Sequence, residues 1–203
     1  MKKFLILTSL AASCFAPQAF AQAKNFEGFS VALNAHVIAP TTEASLLGAT
    51  INGFGQQSAV GSIQGAYSFI ASDSVVLALG ASYNLTDFDA GTVRDATSSA
   101  TLKIQNSGSI YFEPGFLTSE RTLAYLKISY EKGTVKEEAN GTSLTKDVTG
   151  NSFGFGIRTL LSKNLFLQAE AKRVQFDSAR FEGDIVDFKT SATVGTIGIG
   201  YKF

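Results

Sequence analysis

Eight stretches of this chain alternate apolar residues with small or polar ones at a period of two. That pattern places every stretch on an extended strand with two unlike faces. The first sets Phe29, Val31, Leu33, Ala35 and Val37 against Ser30, Ala32, Asn34 and His36. The second opposes Ile63, Tyr67 and Phe69 to Ser62, Gln64 and Ser68. In the third, Val75, Leu77, Leu79, Ala81, Tyr83 and Leu85 oppose Ala78, Gly80, Ser82 and Asn84. The fourth puts Leu102, Ile104, Gly108, Ile110 and Phe112 against Lys103, Gln105, Ser107, Ser109, Tyr111 and Glu113, with Pro114-Gly115 read as its terminator. The fifth and sixth carry Ala124, Leu126, Ile128, Tyr130 and then Phe153, Phe155, Ile157 on the apolar face. The seventh carries Leu165, Leu167, Ala169 and Ala171, and the eighth Ile197, Ile199, Tyr201 and Phe203.

The connections between these runs alternate in length. Those near 70–74, 114–121 and 162–164 are short, whereas those near 38–57, 87–97, 133–150 and 177–190 are long. Short turns at one end and long loops at the other are expected of an eight-stranded antiparallel up-and-down transmembrane β-barrel, an all-β fold with both termini at the periplasmic side. The competing architecture is a soluble, lipocalin-like ligand carrier whose apolar face points inward. Three features favour the membrane barrel. Aromatic residues stand near the strand ends of the apolar face (Phe29, Tyr67, Phe69, Tyr83, Phe112, Tyr130, Tyr201, Phe203). The opposite face is crowded with Gly, Ser and Ala, as a narrow lumen requires. The last strand runs to the terminal Phe203, and a closed barrel needs that strand to pair with the first.

At the N-terminus, Lys2 and Lys3 precede the apolar stretch Phe4 to Ala12 and the small-x-small site Ala19-Phe20-Ala21. This reads as a cleaved signal peptide over 1–21, or 1–23 if the second site is used, followed by one domain over 22–203. The single cysteine, Cys14, falls inside that segment and leaves no thiol for a disulfide or a nucleophile. Leu10-Ala11-Ala12-Ser13-Cys14 is also a loose lipoprotein box, the alternative for this terminus. The chain carries 17 basic and 17 acidic residues. Removal of Lys2 and Lys3 leaves 15 against 17, so no basic footprint for nucleic acid exists.

The closing Gly198-Ile199-Gly200-Tyr201-Lys202-Phe203 resembles the last strand of small outer-membrane barrels of the OmpX, opacity-protein and OmpA-transmembrane-domain type. Tyr111-Phe112-Glu113-Pro114-Gly115-Phe116 and Leu123 to Tyr130 resemble the fourth and fifth strands of the porin-like outer-membrane β-barrel domain family. The resemblance implies residence in the outer membrane of a Gram-negative bacterium, among its lipid and lipopolysaccharide. It also implies that Tyr201 and Phe203 are read by the barrel-assembly machinery as an insertion signal.

The candidate site is a charge network in the lumen, drawn from Lys103, Glu113, Lys127, Glu131, Arg158, Glu170 and Lys172. Folding about a centre near residue 117 pairs Lys103 with Glu131. Buried charges require partners, so these groups read first as structural ion pairs and second as the plug of a small gated pore. His36 is the only histidine and the only candidate general base of a barrel enzyme, and no enzymatic activity is expected. No cofactor is expected either. The apolar stretch Leu46 to Phe54 reads as a short interfacial helix or an adhesive patch. The expected role is structural or surface-interacting, by a monomer whose external loops contact a surface or host ligand.

Overall fold

Ten strand segments wind antiparallel around a single axis in the computed structural model, which describes residues 23–46, 49–54, 57–94, 99–139, 142–177 and 187–203. They are β1 (Gly28–Leu46), β2 (Ala49–Phe54), β3 (Ser58–Ser72), β4 (Val75–Asn84), β5 (Phe88–Arg94), β6 (Ser99–Ser119), β7 (Thr122–Ala139), β8 (Thr142–Leu160), β9 (Leu165–Phe176) and β10 (Asp187–Lys202). The segments make eight staves. β2 and β3 together run antiparallel to β1, and β4 and β5 together run antiparallel to β6. Closure comes from β10 pairing with β1 over a register running from Ser30↔Lys202 to Ser45↔Asp187. Around the wall below the outer hairpins every strand has two partners, which removes the free edges that an open sheet would present there. The signal segment 1–21 and the Cys14 alternative lie outside the described residues.

The alternation has the sense expected of a membrane barrel. Leu33, Phe155 and Ile197 are 57%, 63% and 69% exposed on the outer wall, while Asn34, Gln64 and Gln168 are buried inside. Most of the girdle aromatics, including Phe29, Tyr67, Tyr83, Tyr130, Tyr201 and Phe203, are exposed outside. Such a wall is stable only against hydrocarbon.

Three expectations are corrected. First, three of the four long outer connections, those near 38–57, 87–97 and 133–150, are mostly strand among the described residues. β1 and β2 pair up to Leu46↔Ala49, so within the Leu46–Phe54 stretch the described residues, Leu46 and Ala49–Phe54, are strand and not helix. β7 and β8 stay paired up to Ala139↔Thr142. Second, Pro114 lies inside β6, opposite Leu77 of β4, and the turn falls at Glu120 and Arg121. Proline lacks an N–H, and the β6–β7 ladder accordingly skips from Phe112↔Ile128 to Gly115↔Tyr125 without losing register. Third, β6 carries a bulge at Asn106, whose φ is 49°. Register passes from Gln105↔Thr134 to Gly108↔Lys132, one extra residue on β6. Lys103 and Ile104, above the bulge, therefore stand on the opposite faces from those an unbroken period gives them.

Candidate functional site

The lumen is filled in three layers. At the turn end, Ala23 and Phe26 of a short 3-10 turn (Ala23–Phe26) reach into the mouth and pack with Leu117, Leu123, Leu160 and Phe166. At the hairpin end, Ile38, Val60, Phe88, Ile104, Val174 and Val194 form an apolar collar. The charged and amide side chains lie between these two layers.

Glu113 stands at the position of β6 that corresponds to Lys127 of β7. Its carboxylate lies 2.9 Å from Lys127 Nζ and accepts a bond from Arg158 Nη2 at 3.0 Å. Lys127 also pairs with Glu170, which accepts from the Tyr125 hydroxyl at 3.3 Å. Lys127 Nζ sits 4.4 Å from the centre of the Tyr111 ring, and the Arg158 guanidinium lies 5.3 Å from Tyr125 and 5.1 Å from Phe166. These contacts put electron-rich ring faces against both buried cations. Arg158 donates onward to Gln168 Oε1, and Gln168 Nε2 donates to Asn34 Oδ1 at 2.8 Å and Gln64 Oε1 at 3.2 Å. The chain of bonds thus crosses the barrel from β6 to β1. Above it, Lys172 donates to Glu131 at 2.8 Å, and Ser152 donates to the same oxygen at 2.7 Å.

Glycines on the inner face make this packing fit. A Cβ on Gly156 would meet the Tyr125 ring and hydroxyl at 2.5 Å, and one on Gly80 would meet the Tyr111 hydroxyl at 2.3 Å. Both tyrosines therefore lie flat across neighbouring strands, where any side chain would displace them.

Six of the seven candidate lumen charges come together: Glu113, Lys127, Glu131, Arg158, Glu170 and Lys172. Lys103 does not join them. The Asn106 bulge turns Ile104 into the collar and places Lys103 on the outer face, opposite Lys136 of β7. Glu131 faces Ser109 in register and bonds to Lys172 and Ser152, because the turn lies beyond Pro114-Gly115 and the folding centre moves with it. The resulting belt holds three carboxylates and three cations among the described residues. Asn34, Gln64, Gln168, Tyr111 and Tyr125 complete it. Their inward phase is legible in the alternation, but their partners depend on cross-strand register.

A cavity of about 50 Å³ lies between the belt and the collar, bordered by His36, Ser62, Ser82, Ser109, Glu131 and Lys172. That is room for a few water molecules. His36 bonds through Nδ1 to Thr196 Oγ1 at 2.7 Å and through Nε2 to Ser62 Oγ at 2.6 Å. Both of these ring-nitrogen partners are hydroxyls, and Ser62 is 1% exposed. Among the described residues no group of three or more His, Cys, Asp or Glu side chains could hold a metal ion.

Tyr201 and Phe203 close the barrel at the turn end. The Phe203 amide donates to the Phe29 carbonyl at 2.9 Å, and the Phe203 ring lies 5.8 Å from Phe29 and 5.1 Å from Tyr201.

The comparisons with known proteins agree with this geometry. Residues 6–203 match the family described as outer membrane protein beta-barrel domain. No match was found among curated proteins. Neisserial surface protein A (NspA) is similar in structure at a TM-score of 0.54 and 15% identity, over 87% of this chain and 98% of that one. Ail, the attachment invasion locus protein of Yersinia pestis, solved with the heparin analogue sucrose octasulfate, gives 0.49 and 16% over 87% and 99%. The outer membrane protease OmpT of Escherichia coli gives 0.46 and 8% over 87% and 97%. The chain belongs to the outer membrane protein beta-barrel domain family and is an integral β-barrel of the bacterial outer membrane.

Proposed function

We propose that this protein serves at the cell surface as a binding scaffold, through the β-structure that rises above its lipid-facing wall, and carries out no chemical step. The observation that carries this reading is the upper part of β8, Thr142 to Val148, which is paired on one side only among the described residues. β5, β6, β7 and β8 continue upward as one sheet, with β7 and β8 paired as far as Ala139↔Thr142. β9 pairs with β8 only from Gly150↔Phe176 downward, and the Asp177 amide bonds the Thr149 carbonyl. Among the described residues, no strand pairs with the outer edge of β8 from Thr142 to Val148. An exposed edge on a rigid scaffold can take an extended segment of a partner as an added strand. Thr134 and Lys132 hold Asp147 at 2.9 Å and 3.6 Å, which ties the two arms of this hairpin together.

The charged belt acts in this reading as structural filling, and the protein works as a monomer. Tyr201 and Phe203 serve the assembly machinery before the barrel closes. The test replaces 137–145 by a two-residue turn and compares adherence of expressing cells to epithelial monolayers. Loss of adherence, with an unchanged gel shift between boiled and unboiled protein, is the expected result. Equal adherence of the shortened protein overturns the reading.

A further inference from the structure

We infer that the outer wall over β8, β9, β10 and β1 holds a phosphorylated lipid A molecule of the outer leaflet, its acyl chain in a groove and its phosphate on Arg173. The groove follows from the register. One row across the wall reads Phe155, Ala171, Gly195, Val37, and the next row toward the turn end reads Ile157, Ala169, Ile197, Ala35. The two smallest residues, Ala171 and Gly195, stand side by side between Phe155 and Val37. They floor a hollow of about 630 Å³, which runs into a second of about 730 Å³ along Ile157, Ala169, Ile197 and Leu33. Successive rows lie two residues apart, so three rows span roughly 13 Å along the strands, room for much of an acyl chain.

Fluid lipid fills any hollow on such a wall, and the arginine at its head is what selects an occupant. Arg173 follows the groove on β9, in the row Phe153, Arg173, Thr193. Its Nη1 donates to Thr193 Oγ1 at 3.1 Å and its Nη2 to Ser191 Oγ at 2.9 Å. Those hydroxyls draw the guanidinium over β10, on the hairpin side of Gly195. They are neutral, so the charge they hold there remains uncompensated by them, and a guanidinium fork matches a phosphate oxygen pair. This end of the wall is the hairpin end, which faces the outer leaflet. The lipid there that combines acyl chains with a fixed phosphate at the polar boundary is lipid A.

The experiment uses the refolded full-length barrel in detergent micelles and native mass spectrometry with added bisphosphorylated lipid A, its dephosphorylated form, and phosphatidylglycerol. Two variants separate head from groove: Arg173→Gln removes the charge, and Gly195→Leu fills the trough. A Cβ on Gly195 meets nothing within 4 Å on the outward face, and an unchanged gel shift between boiled and unboiled Gly195→Leu shows that the barrel is intact. The expected result is one retained bisphosphorylated lipid A, weakened roughly tenfold or more by either substitution. Dephosphorylated lipid should bind no better to the parent than to Arg173→Gln. Equal retention of bisphosphorylated lipid A by all three proteins overturns the site. Equal retention of phosphatidylglycerol by the parent overturns the assignment to lipid A. A lipid-free dimer that Gly195→Leu converts to monomer overturns it in favour of a second copy of the chain.

Discussion

Glu113 is the residue on which the lumen depends most. It is 3% exposed and touches both Lys127 and Arg158, so its removal leaves two buried cations short of a partner. Breaking a buried pair from one side costs about 3–5 kcal/mol, whereas replacing both partners by apolar groups of like size is often neutral. Glu113→Ala should therefore lower the urea midpoint of the refolded barrel strongly, and Glu113→Leu with Lys127→Met should recover part of the loss. Equal midpoints for parent and Glu113→Ala would show that the ion pairs do not hold the lumen together. Gly156 supplies an independent check on packing. Its Ala variant drives a methyl into the Tyr125 ring and should cost about 1–3 kcal/mol. Shortening the tyrosine as well, in Gly156→Ala with Tyr125→Leu, should cost less than the sum of the single changes.

At the scale of the element, the Asn106 bulge decides which face each residue of upper β6 occupies. Asparagine tolerates a positive φ far better than a β-branched residue does. Asn106→Gly should be near neutral, and Asn106→Val should cost about 1–2 kcal/mol, seen as a lower urea midpoint of unfolding. Deleting Asn106 should reverse the faces above it and drive Lys103 toward the collar that Ile104 now fills. Cysteine labelling at position 103 reads this directly: a membrane-impermeant reagent should modify Lys103→Cys in the parent and fail in the deletion. The alternation of Leu102 to Glu113 could not reveal the bulge, because Leu102 and Ile104 continue an apparently unbroken period. Pro114-Gly115 misled in a similar way. Its composition is that of a turn, but Pro114 falls where the β6–β7 ladder is interrupted, so the strand continues through it to Ser119.

For the whole molecule, closure and filling are linked. Among the described residues, the turn-end apolar layer, the balanced belt and the collar fill the lumen around a cavity of about 50 Å³, so the barrel should show no steady conductance in a planar bilayer. A stable open level at neutral pH would instead support the gated-pore reading. Closure rests on β1 meeting β10, with Phe203 bonded to Phe29 at the rim. Phe203→Ala removes both ring contacts and should reduce the heat-modifiable band in outer membranes, with little change in the stability of protein refolded in detergent.

The architecture was legible because it needs only local information. Period two, aromatic strand ends and alternating connection lengths follow from each strand facing lipid on one side and a narrow lumen on the other. Six of the seven lumen charges could be placed on the inner face by counting alternate residues along their own strands. The partners of those charges are another matter. Whether Glu131 meets Lys103 or Lys172 depends on where a hairpin turns and where one extra residue bulges, and a single-residue slip exchanges every face beyond it. The groove under Arg173 is less visible still, since Ala171 and Gly195 are far apart in the chain and become neighbours only when β9 and β10 pair. The sequence by itself determined the period, the count of staves and the sense of the wall. Register, which no single strand encodes, was decided only when the barrel closed.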